Sequence, residues 1–187
     1  MTLDEAQVDA FRRLSRGVAD RRSPCRNPAL ATRGADGHPS VRTVVLRGFD
    51  PAGRLLLLHS DVRTAKIAEI RDEPRVMVHA WDARSQVQLR IGGRAWLRLG
   101  DAARSDWDRL HPRSRATYAA ALTPGTPLVD PAEADQARLN PSEALLNFAV
   151  IDVVIDSLDW LRLARTGHRR ARFTWAGSTE TACWAVP

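Results

Sequence analysis

The spacing of apolar residues along the chain changes from helical to strand-like after the N-terminal segment. Val8, Phe11, Leu14 and Val18 recur every three or four positions with charged residues between them, which predicts an amphipathic helix over residues 4–20. Beyond it, short runs rich in Val, Leu and Ile are separated by turn sequences such as ADGHP and DPAG. Short runs joined by tight turns are typical of antiparallel strands. The pattern therefore predicts a helix followed by a largely β domain.

The predicted strands and later helices alternate in groups. The runs that favour strands are ALATRG, SVRTVVLRGF, RLLLLHS, RVMVHAW, QVQLRIGGRAWLRLG, FAVIDVVIDSLDWLRLA, RRARFTW and TACWAV. Helices are expected over 61–73, near 101–110, near 114–121 and over 141–147, with a proline-rich loop over 122–141. We expect a mainly β fold, a split β-barrel of six or more antiparallel strands with peripheral α-helices. A single domain over 1–187 is expected, with the N-terminal helix within 1–22 and the last strands within 150–187.

Composition and charge describe an ordinary globular protein with an excess of arginine. Hydrophobic residues make up 44% and charged residues 27% of the 187, and the formal net charge is +6. A positive balance is compatible with nucleic-acid binding, but no binding motif accompanies it. Lys66 is the only lysine among the 28 basic residues, which indicates a coding preference for Arg. We expect no nucleic-acid partner, and a basic nucleic-acid-binding domain stays as an alternative.

Cysteine and histidine spacing argues against a metal site or a disulfide framework. Cys25 and Cys183 lie far apart without a CxxC pair, and the five histidines lack metal-ligand spacing. The N-terminus has no apolar signal region, and the longest apolar runs are too short to span a bilayer. The sequence therefore predicts no metal, no membrane contact and a cytoplasmic location.

Basic and hydroxyl side chains are concentrated where the strand RLLLLHS gives way to a helix. Ser60, Arg63, Thr64 and Lys66 all fall within HSDVRTAK, residues 59–66. Cofactor phosphates are bound by charge-assisted donors and by the N–H groups at a helix start. The segment therefore favours an anion site, and a solvated helix start with ordinary surface charges is the alternative.

Two other strands carry polar residues toward this region. In a regular strand over 40–47, Arg42 and Arg47 lie on opposite faces, so they need not serve one group. Arg42 is expected either to bind the same anion as the 59–66 segment or to extend to water at a strand edge. In QVQLRIGGRA, polar Gln86, Gln88 and Arg90 alternate with apolar residues. That polar face is either solvated or a hydrogen-bonding surface for a flat heterocycle.

Taken in order, these motifs resemble those of the pyridoxamine 5'-phosphate oxidase superfamily of FMN-binding split barrels, over residues 27–187. RTVVLR resembles the family's phosphate-binding strand, and LLLLHSDVRTAK resembles the strand and helix start that follow it. EPRV resembles the family's NPRV, and VQLRIGGRA resembles its RQVxVxGxA. Near the C-terminus, DWLRLARTGHRRARF resembles its FWQxxxxRLHDRxxF. The resemblance implies FMN as cofactor, contacted by Arg42, Val44, Val45, His59, Ser60, Arg63, Thr64, Lys66, Gln88, Trp160 and Arg170.

The same resemblance assigns roles to some of these residues. Arg42 and Lys66 would hold the phosphate, and Arg63 would replace a family arginine that is Ala65 here. On the C-terminal hairpin, Trp160 would cover the flavin and Arg170 would offer positive charge to the reduced ring.

The residues that hold the substrate in the vitamin enzyme are replaced here. Arg47 stands where those enzymes have a lysine for the substrate's phosphate. The Tyr, Arg and Ser around the family's HSRPRxS are here Trp107, His111 and Arg115. Thr166 replaces the substrate arginine of RLH, while His168 is kept as a candidate proton donor or a structural histidine. The resemblance thus implies a retained FMN site and a rebuilt substrate site, closer to an uncharacterised FMN-binding branch.

The leading hypothesis is a homodimeric FMN flavoprotein with the flavin at the interface, acting as an oxidoreductase on a small molecule. A flavin-binding carrier or sensor without turnover is the alternative from another class. It would bind FMN but show no substrate-dependent reduction.

Overall fold

The computed structural model describes residues 1–135 and 138–187. Its helices are α1 (Leu3–Ala19), α2 (Ala65–Asp72), α3 (Arg104–Asp108), α4 (Pro112–Arg115) and α5 (Pro141–Leu146). Its strands are β1 (Ala29–Arg33), β2 (Pro39–Thr43), β3 (Leu46–Asp50), β4 (Leu55–Asp61), β5 (Arg75–Asp82), β6 (Val87–Leu99), β7 (Phe148–Arg162), β8 (Arg169–Ala176) and β9 (Thr179–Ala185). Short 3₁₀ turns cover Pro24–Arg26, Gly100–Ala103, Ala116–Ala119 and Pro131–Asp135. The predicted mainly β fold with peripheral helices is confirmed.

All pairings between neighbouring strands are antiparallel, and within the described residues they form one sheet in the order β2-β1-β5-β6-β7-β4-β3. Strands β8 and β9 extend it from the second half of β7. The end strands β2 and β3 are consecutive in the chain and are joined only by Val44 and Val45. Two residues span a few ångströms, so the ends of the sheet must approach each other. The sheet therefore curls into a barrel that stays split between β2 and β3.

This link also corrects the prediction of one regular strand over 40–47. Thr43 is the last residue to pair with β1, and Leu46 is the first to pair with β4. Between them Val44 is buried and its backbone N–H donates to the Pro28 carbonyl at 2.9 Å. A single straight strand cannot hydrogen-bond to two edges on opposite sides of the split, so the chain breaks where it changes partners.

Alternation along the strands separates two apolar clusters. The inner cluster takes Leu30, Leu56, Leu58, Ile91, Ile151 and Val153 from the strands and Ala6, Ala10 and Leu14 from α1. The outer cluster lies on the other face, where Phe148 and Val150 of β7 meet Trp107, Tyr118 and Leu145. Since successive side chains of β7 point to opposite faces, its fully apolar start FAVI serves both clusters.

Helix α1 forms where it was predicted, but its buried face differs from the predicted one: Leu14 is buried, whereas Val8 is 64% exposed. Thr2 and Glu5 form a reciprocal capping box, in which Thr2 Oγ1 accepts from the Glu5 N–H and Glu5 accepts from the Thr2 N–H. The same device starts α5, where Asn140 and Glu143 are the pair. Both N-termini could be predicted, because the cap is written in consecutive residues.

Candidate functional site

Ser60, Thr64 and Lys66 lie together where β4 runs into α2. Helix α2 begins at Ala65, with Thr64 as its N-cap, so Ser60 and Asp61 end the strand instead of starting the helix as predicted. The hydroxyls of Ser60 and Thr64 are 3.1 Å apart, and Lys66 Nζ donates to Ser60 Oγ at 3.3 Å. The Thr64 side chain does not cap the helix but donates to the Asp61 carbonyl at 2.7 Å. Hydroxyls and an ammonium group are therefore gathered at a helix N-terminus, where backbone N–H groups also converge.

Burial places the Lys66 ammonium in an unfavourable position when no anion is near. Burial lowers the pKa of Lys66, and the positive charge of Arg42 lowers it further, against the opposing effect of Asp61 and Glu69. Two cations close enough to affect each other cost free energy unless an anion lies between them. An additional anion beside Arg42 and Lys66 would therefore stabilise the charged form of Lys66.

Arg42 reaches this region from β2 through a dense set of hydrogen bonds. It stands opposite Leu30 in the β1–β2 pairing, and so projects on the side of the sheet that carries the inner cluster. Its Nη2 donates to Ser40 Oγ at 2.5 Å and to Glu69 Oε2 at 2.6 Å, while its Nη1 donates to Thr32 Oγ1. The guanidinium is held in place before any ligand arrives.

Arg63 does not join this group in the described structure. Its guanidinium forms a two-point ion pair with Asp61, at 2.7 and 3.0 Å, and donates to the Ala121 carbonyl at 3.1 Å. Its backbone N–H also bonds to Asp61. Arg63 therefore ties the start of α2 to the 116–121 region, and the idea that it stands in for the residue at Ala65 stays a prediction.

Gln88 projects from the outer face of the barrel. Its neighbours Val87 and Leu89 are buried in the inner cluster, so the alternation of β6 places Gln88 on the opposite side. Its Oε1 lies 3.3 Å from His79 Nε2. The predicted polar face of QVQLRIGGRA is present, and its side chains project from the face of the sheet opposite to the one that carries Arg42.

The expectation that Trp160 and Arg170 point to one ligand is wrong for a single chain. In the β7–β8 pairing Trp160 stands opposite Ala171 and Arg170 opposite Leu161, which puts the two side chains on opposite faces. Trp160 is 0% exposed in the inner cluster, and its Nε1 donates to Asp9 at 3.0 Å. Arg170 forms an ion pair with Asp159 on the outer face, with a shortest distance of 2.6 Å. Arg170 is one position away from Ala171, the residue that pairs with Trp160, and neighbouring residues of a strand point to opposite faces. The prediction from the sequence did not take this register into account.

His59 and Arg47 carry buried nitrogens without hydrogen-bond partners. These atoms are His59 Nδ1 and Nε2 and Arg47 Nε. The His59 ring packs edge-on against Phe148 with centroids 4.9 Å apart. Burial, and then the Arg47 charge, lower the pKa of His59 to about 4. His59 is therefore a neutral imidazole at pH 7, and both groups offer hydrogen-bonding capacity beside the outer cluster.

Of the predicted substrate residues, Trp107 and Arg115 lie together beside the outer cluster. Trp107 is 5% exposed and packs against Tyr118 and Phe148. Arg115 lies over the Trp107 ring at 5.6 Å and donates to two backbone carbonyls, and both residues line a cavity of about 270 Å³. His111 instead caps α4 by accepting the Arg113 N–H. The three do not form one phosphate-binding set with Arg47.

His168 and Thr166 lie in the exposed turn between β7 and β8. His168 Nδ1 accepts the Ala164 N–H at 3.1 Å, which closes the turn. This contact fits the structural role considered for His168, while its catalytic role stays a prediction.

Glu69 is the member of the site that the sequence argument missed. It follows Lys66 by three positions on α2, so the two share a helix face, and this spacing was the available signal. Its 9% exposure and its contacts to Thr32 and Arg42 place it inside the cation cluster.

Neither a metal cluster nor a membrane-spanning helix occurs in the described ranges 1–135 and 138–187. No group of three His, Cys, Asp or Glu side chains there could hold a metal ion. Within those ranges no helix combines the length and the apolar character needed to cross a membrane.

Comparison with known proteins identifies the family. Residues 9–98 match the family model described as pyridoxamine 5'-phosphate oxidase, FMN-binding domain. The chain is 30% identical to pyridoxine/pyridoxamine 5'-phosphate oxidase 2 of Arabidopsis thaliana over 165 residues, covering 83% of this chain and 82% of that protein. It is 34% identical to a pyridoxine/pyridoxamine 5'-phosphate oxidase of Xylella fastidiosa over 119 residues, 62% of this chain and 55% of that protein.

Two solved structures share the fold. A pyridoxamine 5'-phosphate oxidase-related, FMN-binding protein of Nostoc punctiforme superposes with a TM-score of 0.79 at 22% identity, covering 96% of both chains. PhzG of Burkholderia lata, solved with tetrahydrophenazine-1-carboxylic acid, gives 0.73 at 19% identity, covering 96% of this chain and 92% of that one. The fold is thus the split barrel of FMN-binding proteins. The chain belongs to the pyridoxamine 5'-phosphate oxidase family.

Proposed function

We propose that the chain is an FMN-dependent oxidoreductase that acts on a small molecule. The observation that carries this proposal is the grouping of Lys66 with the Ser60 and Thr64 hydroxyls at the start of α2. Arg42 lies near enough for its charge to lower the pKa of Lys66. A terminal phosphate monoester supplies a doubly charged anion that both cations can bind. Bound FMN would bring hydride and electron transfer chemistry at its ring, and the protein's own part is to hold, orient and shield it.

The residues fit one terminal phosphate better than a dinucleotide. The sequence contains no GxGxxG fingerprint, the loop that binds a pyrophosphate in dinucleotide sites. The cluster instead offers two cations and two hydroxyls at one helix end. FMN, with a single phosphate, is therefore the cofactor we propose.

A homodimer is proposed from the two faces of the sheet. Arg42 projects toward the inner face, whereas Gln88 and Arg170 project from the outer face. A flavin that contacts both sets is best accommodated if the outer-face residues belong to a second copy of the chain. Light scattering of the flavin-loaded protein is expected to give twice the 20.7 kDa chain mass, and a mass near 20.7 kDa would contradict the dimer.

The visible spectrum of the purified protein tests the proposal. We expect absorption bands of an oxidised flavin, release of a molecule with the mass of FMN on denaturation, and bleaching with a reduced substrate. Release of a different flavin would contradict the cofactor. Bound FMN that no tested substrate bleaches, although a chemical reductant does, would favour the carrier or sensor.

A further inference from the structure

The terminal nitrogens of Arg42 already have acceptors on every side. Nη1 contacts the Leu30 carbonyl and Thr32 Oγ1, and Nη2 contacts Ser40 Oγ and Glu69 Oε2. The two terminal nitrogens of an arginine carry four N–H hydrogens, so four acceptors use them all. A phosphate that binds Arg42 through these nitrogens has to displace one of the acceptors.

Glu69 is the acceptor with most in common with a phosphate. It is the carboxylate of the set, its Oε2 lies 2.6 Å from Arg42 Nη2, and it also accepts from Thr32 Oγ1 at 2.5 Å. Burial by itself raises the pKa of Glu69, but hydrogen bonds from Thr32 and Arg42 and the Arg42 charge hold it below its usual value. Glu69 is therefore an anion at neutral pH, already paired with the arginine of the anion site.

We propose that Glu69 is an internal competitor of the cofactor phosphate, which occupies Arg42 in the free protein and weakens phosphate binding. This inference rests on the proposed function of Arg42 and Lys66 as the phosphate ligands. Phosphate binding transfers at least one Arg42 N–H from Glu69 to a phosphate oxygen. Lys66, whose Nζ donates to the neutral hydroxyl of Ser60, then serves as the first point of attachment.

The competitor also sets the selectivity of the site. Arg42 and Lys66 carry two positive charges, and Glu69 cancels one of them. A site with one net charge binds weakly charged anions poorly, while a phosphate that is close to doubly charged gains enough to displace the carboxylate. Glu69 therefore discriminates in favour of phosphate monoesters over monoanions.

The test is Glu69→Gln, which keeps the size of the side chain and one acceptor oxygen but removes the charge. We expect the Kd for FMN to fall by about tenfold or more, since a close opposite charge typically shifts an ionic equilibrium by that factor. The Kd for inorganic phosphate, measured in the absence of flavin, is expected to fall by a similar factor. The affinity for riboflavin, which has no phosphate, is expected to stay unchanged.

Two further variants make the result specific. Glu73→Gln removes a carboxylate that pairs with Arg75 just beyond α2, and it is expected to leave the FMN affinity unchanged. Glu69→Met fills the same space without polar atoms and is expected to tighten FMN binding as well. If Glu69→Gln does not fold, the Kd for FMN is measured with Glu69→Met instead.

The outcomes separate this inference from the proposed function. If the wild-type chain binds FMN no better than riboflavin, the phosphate site itself is refuted, and the competitor with it. If wild type prefers FMN but both Glu69 variants bind it equally or more weakly, the site stands and Glu69 is a positioning partner of Arg42 instead.

Discussion

Trp160 Nε1 and Asp9 Oδ2 are joined by a hydrogen bond of 3.0 Å that links the last long strand to the N-terminal helix. Asp9 also pairs with Arg13, and through it with Asp82 of β5. Burial alone raises the pKa of Asp9, but the hydrogen bonds from Arg13, Trp160 and Arg12 keep it below its usual value. The indole is thus part of a buried polar network that fastens α1 to the barrel.

Trp160→Phe is therefore expected to affect stability more than cofactor binding. Losing a hydrogen bond to a charged group, together with some buried volume, should lower the free energy of unfolding by about 2–4 kcal/mol. Urea denaturation measures this, and Trp184→Phe, at a residue that is 42% exposed, should change it by less than about 0.5 kcal/mol. A large loss of FMN affinity without a loss of stability would restore Trp160 as a flavin contact.

Gly93→Ala is expected to destabilise the barrel at the β6–β7 bulge. A Cβ at Gly93 would lie 2.3 Å from the Val154 carbonyl oxygen, and a backbone atom cannot move aside cheaply. We expect a loss of about 1–3 kcal/mol or more in unfolding free energy. Gly48→Ala is the milder control, because its Cβ would meet the Leu57 side chain at 3.2 Å. Equal effects for both variants would argue against a tight bulge.

The buried His59 gives the apo protein a defined acid sensitivity. Its pKa is about 4 in the folded chain against 6.5 when free, so between these values the unfolded chain binds the extra proton. Stability from His59 is therefore complete above about pH 6.5 and falls as the pH drops toward 4, by at most about 3 kcal/mol.

His59→Phe should flatten this part of the curve of unfolding free energy against pH. His38→Asn, in the exposed turn between β1 and β2, is the control for replacing a histidine elsewhere in the chain. A His59→Phe curve with the wild-type slope would mean that His59 is not the buried neutral group described above.

Poor oxidation of pyridoxamine 5'-phosphate is expected, because the family's substrate donors are not reassembled. Trp107 is buried and His111 accepts a backbone N–H, while Arg115 is engaged by Trp107 and two carbonyls. Each lost donor to a charged phosphate is worth about 1.5–3 kcal/mol, so kcat/KM should be lower by orders of magnitude than for an efficient enzyme. A high kcat/KM would show that these side chains rearrange around the substrate.

Local sequence signals were enough to predict most of the helices and strands. They were not enough to predict how the strands pair across the sheet. The cap at Asn140, the turns between strands and the polar alternation of β6 are written in neighbouring residues. The break at Val44 and Val45 depends on which strands the chain pairs with, and the face of Trp160 depends on the register of β7 and β8. Such relationships join distant parts of the chain, so a pattern within one segment does not contain them.

The candidate site could likewise be predicted from the sequence only in part. Ser60, Thr64 and Lys66 are close in sequence and are found together, and the residues before them could be placed by motif. The diversion of Arg63 to Asp61 and the pairing of Arg42 with Glu69 depend on side-chain competition in the folded protein. Composition gives no information on which of several acids an arginine selects.

The central claim, that Arg42 and Lys66 bind the phosphate of the flavin, is tested most directly by how much the phosphate contributes to flavin binding. The measurement is the Kd of the apo protein for FMN and for riboflavin, in wild type, Arg42→Ala, Lys66→Met and the control Arg71→Met in the last turn of α2. We predict that the wild-type chain binds FMN much more tightly than riboflavin. Arg42→Ala and Lys66→Met should each lose about 2–5 kcal/mol of FMN binding free energy without a change in riboflavin affinity. Arg71→Met should have the same affinities as wild type. Equal affinities for FMN and riboflavin in the folded wild-type chain would contradict it.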